Sequence, residues 1–232
     1  MADEDDDGPK YVFITENEET KTTSRGYSGK AVAMYPNGDT YDGEFMDGTR
    51  EGRGVYTYAA TVEKYDGEWK NNLKHGIGKM TYSKAGVYNG FWENGRRHGE
   101  GVFTYSNQDI YSGWWKFGEK EGTACYTFAN GMKLYGEWWS GAITKGKWIY
   151  PNGMYYEGEF ENNKPKGKGR WVFKNGNILE GDYEQKPKEM DEDEEPAEDE
   201  EEDAIKKPKF VLEWHSKSNI SEAAYKVNSV EQ

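Results

Sequence analysis

The sequence has little of what most folds and catalytic sites require. It contains one cysteine, Cys125, which excludes an internal disulfide framework and fits a reducing compartment. No apolar run approaches the roughly 18 residues of a membrane-spanning helix. The N-terminus is acidic and lacks an apolar segment, which argues against a secretory signal. We therefore expect an intracellular protein that does not cross a membrane.

Aliphatic residues are also scarce, whereas aromatic residues are abundant. Hydrophobic residues make up 34% of the chain and aromatic residues 16%. A single sheet with one aromatic face explains both figures better than a thick aliphatic core does.

Acidic charge is concentrated in two short segments. The net charge is −13, and residues 1–7 carry five acids while residues 189–203 carry twelve acids and no base. The rest of the chain therefore carries a net charge of only +4. Blocks of like charge usually stay solvated, so we expect both acidic segments to be disordered. The second segment lacks the Asp-x-Asp-x-Asp-Gly pattern of a calcium loop, so no metal site is predicted there.

A glycine flanked by aromatic or other large apolar residues two positions away recurs about every 23 residues. The seven glycines are Gly43, Gly67, Gly90, Gly113, Gly136, Gly158 and Gly181, at intervals of 22 to 24. Tryptophan is the second flanking residue in four copies, at Trp69, Trp92, Trp115 and Trp138. Such a fixed period is the sequence signature of a repeat protein.

A second series of glycines lies between the members of the first, as in Gly54-Val-Tyr56-Thr-Tyr58. Both series alternate with period two, which is the period of a β-strand. Asn-Gly turns, such as Pro36-Asn-Gly-Asp39, separate the strands and supply the positive φ values of a tight hairpin. The sequence thus predicts an all-β fold of seven tandem β-hairpins stacked as one extended, twisted antiparallel sheet.

These residues resemble the MORN repeat, whose pattern is Tyr-x-Gly-x-Trp-x-x-Gly-x-x-x-Gly-x-Gly. The segment from Tyr65 to Gly78 is a close copy. The chain departs from the pattern at Ala124, Thr144, Leu134 and Leu179, where we expect less regular repeats. The predicted organisation is a mostly flexible N-terminal segment (1–26), a MORN array (27–185), a disordered acidic linker (186–205) and a docking tail (206–232).

The whole-chain layout resembles that of the small MORN proteins of the ciliary radial spoke head. The acidic run followed by Lys206-Lys-Pro-Lys-Phe-Val-Leu-Glu-Trp214 carries this resemblance. It implies a structural subunit in the axoneme that binds other spoke-head proteins, including a second MORN protein. It also implies contact of the assembled head with the central apparatus. Two alternatives remain, a MORN scaffold of another cytoskeletal complex and a phospholipid-binding membrane module. Because membranes attract polybasic segments, the near-neutral body argues against the second.

No constellation of residues predicts catalysis, a metal site or a bound cofactor, and no nucleic-acid partner is expected. His75 and His98 precede repeat glycines at the position that other copies give to Glu51 and Glu121, so repeat drift explains them. His215 stands alone in the tail, and Cys125 has no histidine at a matching position. We expect a non-enzymatic protein.

Two sets of residues are predicted to form protein interfaces. The face opposite the repeat rings normally carries acids and small polar residues, yet middle repeats place aromatic residues there: Phe91, Trp114, Tyr135 and Trp139. We expect these four to form one outward patch, since aromatic residues anchor many interfaces. In the tail, Phe210, Leu212 and Trp214 alternate, so residues 208–214 are predicted to dock as a strand on this protein or on a partner.

Overall fold

A computed structural model of the protein describes residues 10–187 and 210–217. The predicted linker and tail lie partly outside these residues. All regular elements of the described residues are β-strands, joined in antiparallel pairs. None of the described residues forms a helix long and apolar enough to cross a membrane. The prediction of an all-β array of antiparallel hairpins is confirmed.

The chain divides into two compact units, residues 1–106 and residues 107–232. The strands of the first unit are β1 (Val12–Thr15), β2 (Thr20–Lys21), β3 (Gly29–Met34), β4 (Thr40–Met46), β5 (Thr49–Thr57), β6 (Lys64–Lys70), β7 (Leu73–Tyr82), β8 (Gly86–Glu93) and β9 (Arg96–Tyr105). From β3 to β9 each strand pairs with the next in the chain, and β1 pairs with both β2 and β3.

The second unit follows the same plan. Its strands are β10 (Ile110–Lys116), β11 (Glu119–Thr127), β12 (Lys133–Trp139), β13 (Ala142–Ile149), β14 (Tyr155–Glu161), β15 (Lys164–Val172), β16 (Ile178–Pro187) and β17 (Phe210–Ser216). From β10 to β16 each strand pairs with the next in the chain.

The two glycine series of the sequence meet in one row within each unit. In the first unit Gly43 lies opposite Gly54, Gly54 opposite Gly67, and Gly67 opposite Gly78. In the second unit Ala124 occupies one place in the row, opposite Gly113. Because glycine has no side chain, this row leaves room for the leading tyrosine ring where a repeat has one, such as Tyr65 over Gly78.

Alternation along the strands gives each unit an aromatic face and a polar face. In β4, Tyr41, Gly43 and Phe45 are buried while Asp42 and Glu44 are exposed. The buried rings meet edge to face, as Trp69 does with Tyr41 at 5.3 Å and with Tyr65 at 5.1 Å between centroids. The rings of this face therefore bury one another.

Repeat tryptophans also form hydrogen bonds to the neighbouring strand. Trp69 Nε1 donates to the Gly54 carbonyl at 3.0 Å, and Trp92 Nε1 donates to the Gly78 carbonyl at 3.1 Å. Trp138 is equally buried, but its Nε1 has no hydrogen-bond partner. It belongs to the stretch that carries Ala124, Leu134 and Thr144, where the sequence departs from the repeat pattern.

Two features of the chain turn out differently from the sequence prediction. In the Asn-Gly turn after β3, only Gly38 has a positive φ, and the Asn37 side chain accepts from Asp39 N–H instead. Two successive positive φ values are found instead in other turns, such as the one formed by Asp47 and Gly48 between β4 and β5.

The N-terminal boundary also needs correction. Residues 12–21, expected in a mostly flexible segment, contain β1 and β2. Phe13 is fully buried and contacts Phe45 edge to face at 5.0 Å between ring centroids. Burial of this ring explains why β1 joins the sheet beside β3.

Candidate functional site

Three of the four predicted interface aromatics lie on the polar face of the second unit. Trp114 on β10 is 50% exposed, and Tyr135 and Trp139 on β12 are 47% and 67% exposed. Repeat rings on the other face of the same strands, such as Trp115 and Trp138, are almost fully buried. We call Trp114, Tyr135 and Trp139, together with the polar-face residues of β11 that lie between them, the polar-face aromatic patch.

The residues between these aromatics are small or polar. Cys125 on β11 lies opposite Tyr135 and is half-buried. Thr123 donates to Glu137 Oε1 at 2.8 Å, and Glu121 Oε2 accepts from Ser140 N–H at 3.3 Å. Hydrogen bonds thus order the polar groups of the patch without covering its rings.

Trp114 occupies a position that other repeats give to an acid. In the first hairpin the Glu44 side chain packs over Gly52, a glycine with φ +64° beside a β-bulge. Trp114 packs in the same way over Gly122, whose φ is +66°. The backbone of this repeat is therefore unchanged, and an apolar ring has replaced a carboxylate at the surface.

Phe91 belongs to the first unit and is described with it. It is 46% exposed, packs over Gly99 and lies opposite Ile77, which is 57% exposed. The prediction that Phe91 shares one patch with the other three aromatics stays a prediction.

The tail strand pairs with a strand of this chain itself. Residues 210–216 form β17, paired antiparallel with β16, whereas the sequence predicted docking of residues 208–214. The Trp214 ring lies 5.0 Å from Tyr183 and 6.1 Å from Tyr156, between centroids, on the aromatic face. Leu212 lies on the same face, opposite Gln185.

A row of cations on the aromatic face escaped the sequence analysis. In the first unit, the Arg50 guanidinium lies 4.6 Å from the Trp69 centroid, and Lys74 Nζ lies 4.6 Å from that of Trp92. In the second, Lys120 lies 5.5 Å from Tyr111. Burial lowers the pKa of Lys74, a shift that Glu63 opposes.

The signal for these cations was present in the sequence. Basic residues recur at positions 50, 74, 97 and 120, in step with the glycines. Cation–π stacking is favourable when the cation is partly desolvated. These cations lie over buried rings of the aromatic face, whereas the rings of Trp114, Tyr135 and Trp139 on the polar face are about half exposed or more.

Comparison with known proteins agrees with the repeat assignment. The family model described as "MORN repeat" matches residues 41–60, 65–86, 88–110, 111–133 and 156–178. These five segments are thus MORN repeats, which indicate a structural or binding scaffold role. The hairpins that begin at Leu134 and Leu179 are not among the matched segments, although their strands pair in the same way.

The search of curated proteins found no matching relative. One solved structure with a similar chain path is the SAS-4 (dCPAP) TCP domain of Drosophila melanogaster, in complex with a proline-rich motif of Ana2 (dSTIL). The two share 16% sequence identity with a TM-score of 0.43, over 66% of this chain and 83% of the other.

Proposed function

We propose that this chain is a non-catalytic scaffold subunit of the axonemal radial spoke head. In this role it binds other spoke-head proteins, including a second MORN protein. The assembled head contacts the central apparatus and contributes to the regulation of ciliary or flagellar motility. The protein then resides in the cytoskeleton of the cilium.

The observation that carries the scaffold role is the polar-face aromatic patch. Burying a large apolar side chain contributes about 1.5–3 kcal/mol. Tryptophan and tyrosine are also the residues most often found at the energetic centre of interfaces. Trp114, Tyr135 and Trp139 leave about half or more of their surface open, which is surface that a partner would cover.

The spoke-head assignment is supported by the layout of the chain. MORN repeats are followed by the acidic run 189–203 and then by a short apolar strand. The MORN repeats alone are compatible with other scaffolds, so the location of the protein in a ciliated cell is the first test. A tagged protein should lie along the axoneme. A tagged protein confined to another cytoskeletal structure would contradict the assignment.

The second test asks whether the patch holds a partner. The double substitution Trp114→Ser and Trp139→Ser should release the protein from spoke-head complexes isolated from cilia, while the chain stays folded. Ile178→Ser is the matched control, because Ile178 is 53% exposed in the same unit but lies outside the patch. Normal incorporation of the double variant would contradict the role of the patch. Binding of the purified chain to anionic vesicles would instead favour a membrane function.

A further inference from the structure

Three side chains with metal-ligating atoms converge where the tail strand meets the array. Glu184 on β16 lies directly opposite Glu213 on β17. His215 follows two residues after Glu213, so its side chain is on the same face of the strand. The three ligand atoms all lie within 4.8 Å of one another. His215, which stood alone in the sequence, thus has two carboxylates beside it.

The distances resemble those within a tetrahedral zinc site. His215 Nε2 lies 3.3 Å from Glu184 Oε2 and 3.8 Å from Glu213 Oε2. With zinc bonds of about 2.0–2.1 Å, two ligand atoms of a tetrahedron are about 3.3–3.4 Å apart. Small side-chain rotations therefore suffice to bring all three atoms to one metal ion, and a fourth position remains open.

A cation already lies beside these carboxylates. Lys186 Nζ is 2.6 Å from Glu213 Oε2 and 3.9 Å from Glu184 Oε2. The Lys186 side chain is 48% exposed, and a divalent ion can displace it toward solvent.

We propose that Glu184, Glu213 and His215 form a zinc site that clamps β17 onto β16. The two strands are joined through residues 188–209, so the metal would close a long loop. Closing a loop costs more conformational entropy as the loop lengthens, and a metal bound only by the closed form stabilises that form. Zinc would thus strengthen the attachment of Trp214 to the array.

The test uses the full chain, freed of metal with a chelator and titrated with zinc chloride in a calorimeter. We expect one ion to bind with a dissociation constant below about 100 μM, which corresponds to more than about 5 kcal/mol. His215→Ala should weaken binding at least tenfold, and Lys186→Ala should strengthen it. His75→Ala is the matched control, because His75 lies in the other unit and should leave binding unchanged.

A second readout identifies the ligand directly. The chain has three histidines, so zinc should shift the imidazole NMR signals of His215 and leave those of His75 and His98 in place. Zinc should also slow hydrogen exchange of the β17 amides in the native chain but not in His215→Ala. Equal zinc binding by the native chain and His215→Ala would overturn the proposal, since the acidic run would then be the binding segment. No binding at about 100 μM zinc would overturn it as well.

Discussion

The Tyr41 ring lies directly on Gly54 of the neighbouring strand, where any side chain would overlap it. The ring is fully buried there, and its hydroxyl donates to the Glu44 carbonyl at 3.0 Å. The same arrangement joins Tyr65 to Gly78 and Tyr88 to Gly101. A glycine on one strand and a tyrosine on the next therefore form the unit that the repeat preserves.

The first prediction concerns this pair. Gly54→Ala should destabilise the first unit by about 1–3 kcal/mol, the usual cost of overpacking a filled core. The free energy of unfolding in urea measures this effect. The matched control is the double variant Tyr41→Leu with Gly54→Ala, because Leu134 already replaces the tyrosine in another repeat. The loss of unfolding free energy in the double variant should be smaller than the sum of the losses in Tyr41→Leu and in Gly54→Ala. A loss equal to that sum would show that the ring and the glycine do not interact.

The second prediction concerns a buried carboxylate. Asp39 accepts from the Tyr56 hydroxyl at 2.7 Å and from Ala59 N–H at 2.9 Å. Burial raises the pKa of Asp39, but hydrogen bonds from Tyr56, Ala59 and Asn37 outweigh it and hold this pKa below its usual value. Asp39→Ala should cost about 1.5–3 kcal/mol for the hydrogen bonds to a charged group that it removes.

The pH dependence of this effect follows from the lowered pKa. The folded chain keeps Asp39 ionised at a pH where the unfolded chain binds a proton, so its stabilisation is present above the ordinary aspartate pKa. That stabilisation is lost as the pH falls through the lowered pKa. Between pH 7 and pH 3, the free energy of unfolding in urea should thus fall less for Asp39→Ala than for the native chain. The exposed Asp42→Ala serves as control, and an identical pH profile for all three chains would contradict the prediction.

The third prediction concerns the tyrosines of the aromatic face. Burial raises the pKa of Tyr150 to about 12, and it raises the pKa values of Tyr65, Tyr88 and Tyr156 above their usual 10.0. The unfolded chain loses these protons first, so stability is complete below the ordinary tyrosine pKa and falls as the pH rises through the raised values. Tyrosinate absorbance should rise together with loss of the β-sheet circular dichroism signal. Complete titration of all 18 tyrosines near pH 10 with an intact sheet would contradict the burial of these rings.

The fourth prediction concerns the tail strand. Trp214→Ala should destabilise the pairing of β17 with β16 by about 2–3 kcal/mol, less than for a fully buried tryptophan because the ring is only half-buried. Hydrogen exchange of the β17 amides should accelerate accordingly. Val211→Ala is the control, since Val211 is 49% exposed on the opposite face. Unchanged exchange in Trp214→Ala would show that the ring does not hold the strand.

The repeat period made most of the fold predictable. The alternation around Gly43 and Gly67 predicted which residues lie on the aromatic face. The presence of Trp114 at a position that other repeats give to an acid was also visible from the sequence alone. The role of β1 was missed because its four residues lie outside the repeat, and Phe13 is buried only through contacts distant in the chain. The proximity of His215 to Glu184 could not be predicted from the sequence either, because it depends on the register of β17, which follows residues 188–209.

The central claim is that the polar-face aromatic patch is covered by a partner in the assembled spoke head, and Cys125 reports on it directly. This thiol is the only one in the chain and lies opposite Tyr135 within the patch. The measurement is the rate at which a maleimide labels Cys125 in the purified chain and in isolated spoke heads, read by mass spectrometry. The account predicts labelling at least about tenfold slower in spoke heads, as expected when a well-packed interface excludes solvent from its centre. Equal rates in the two samples would contradict it.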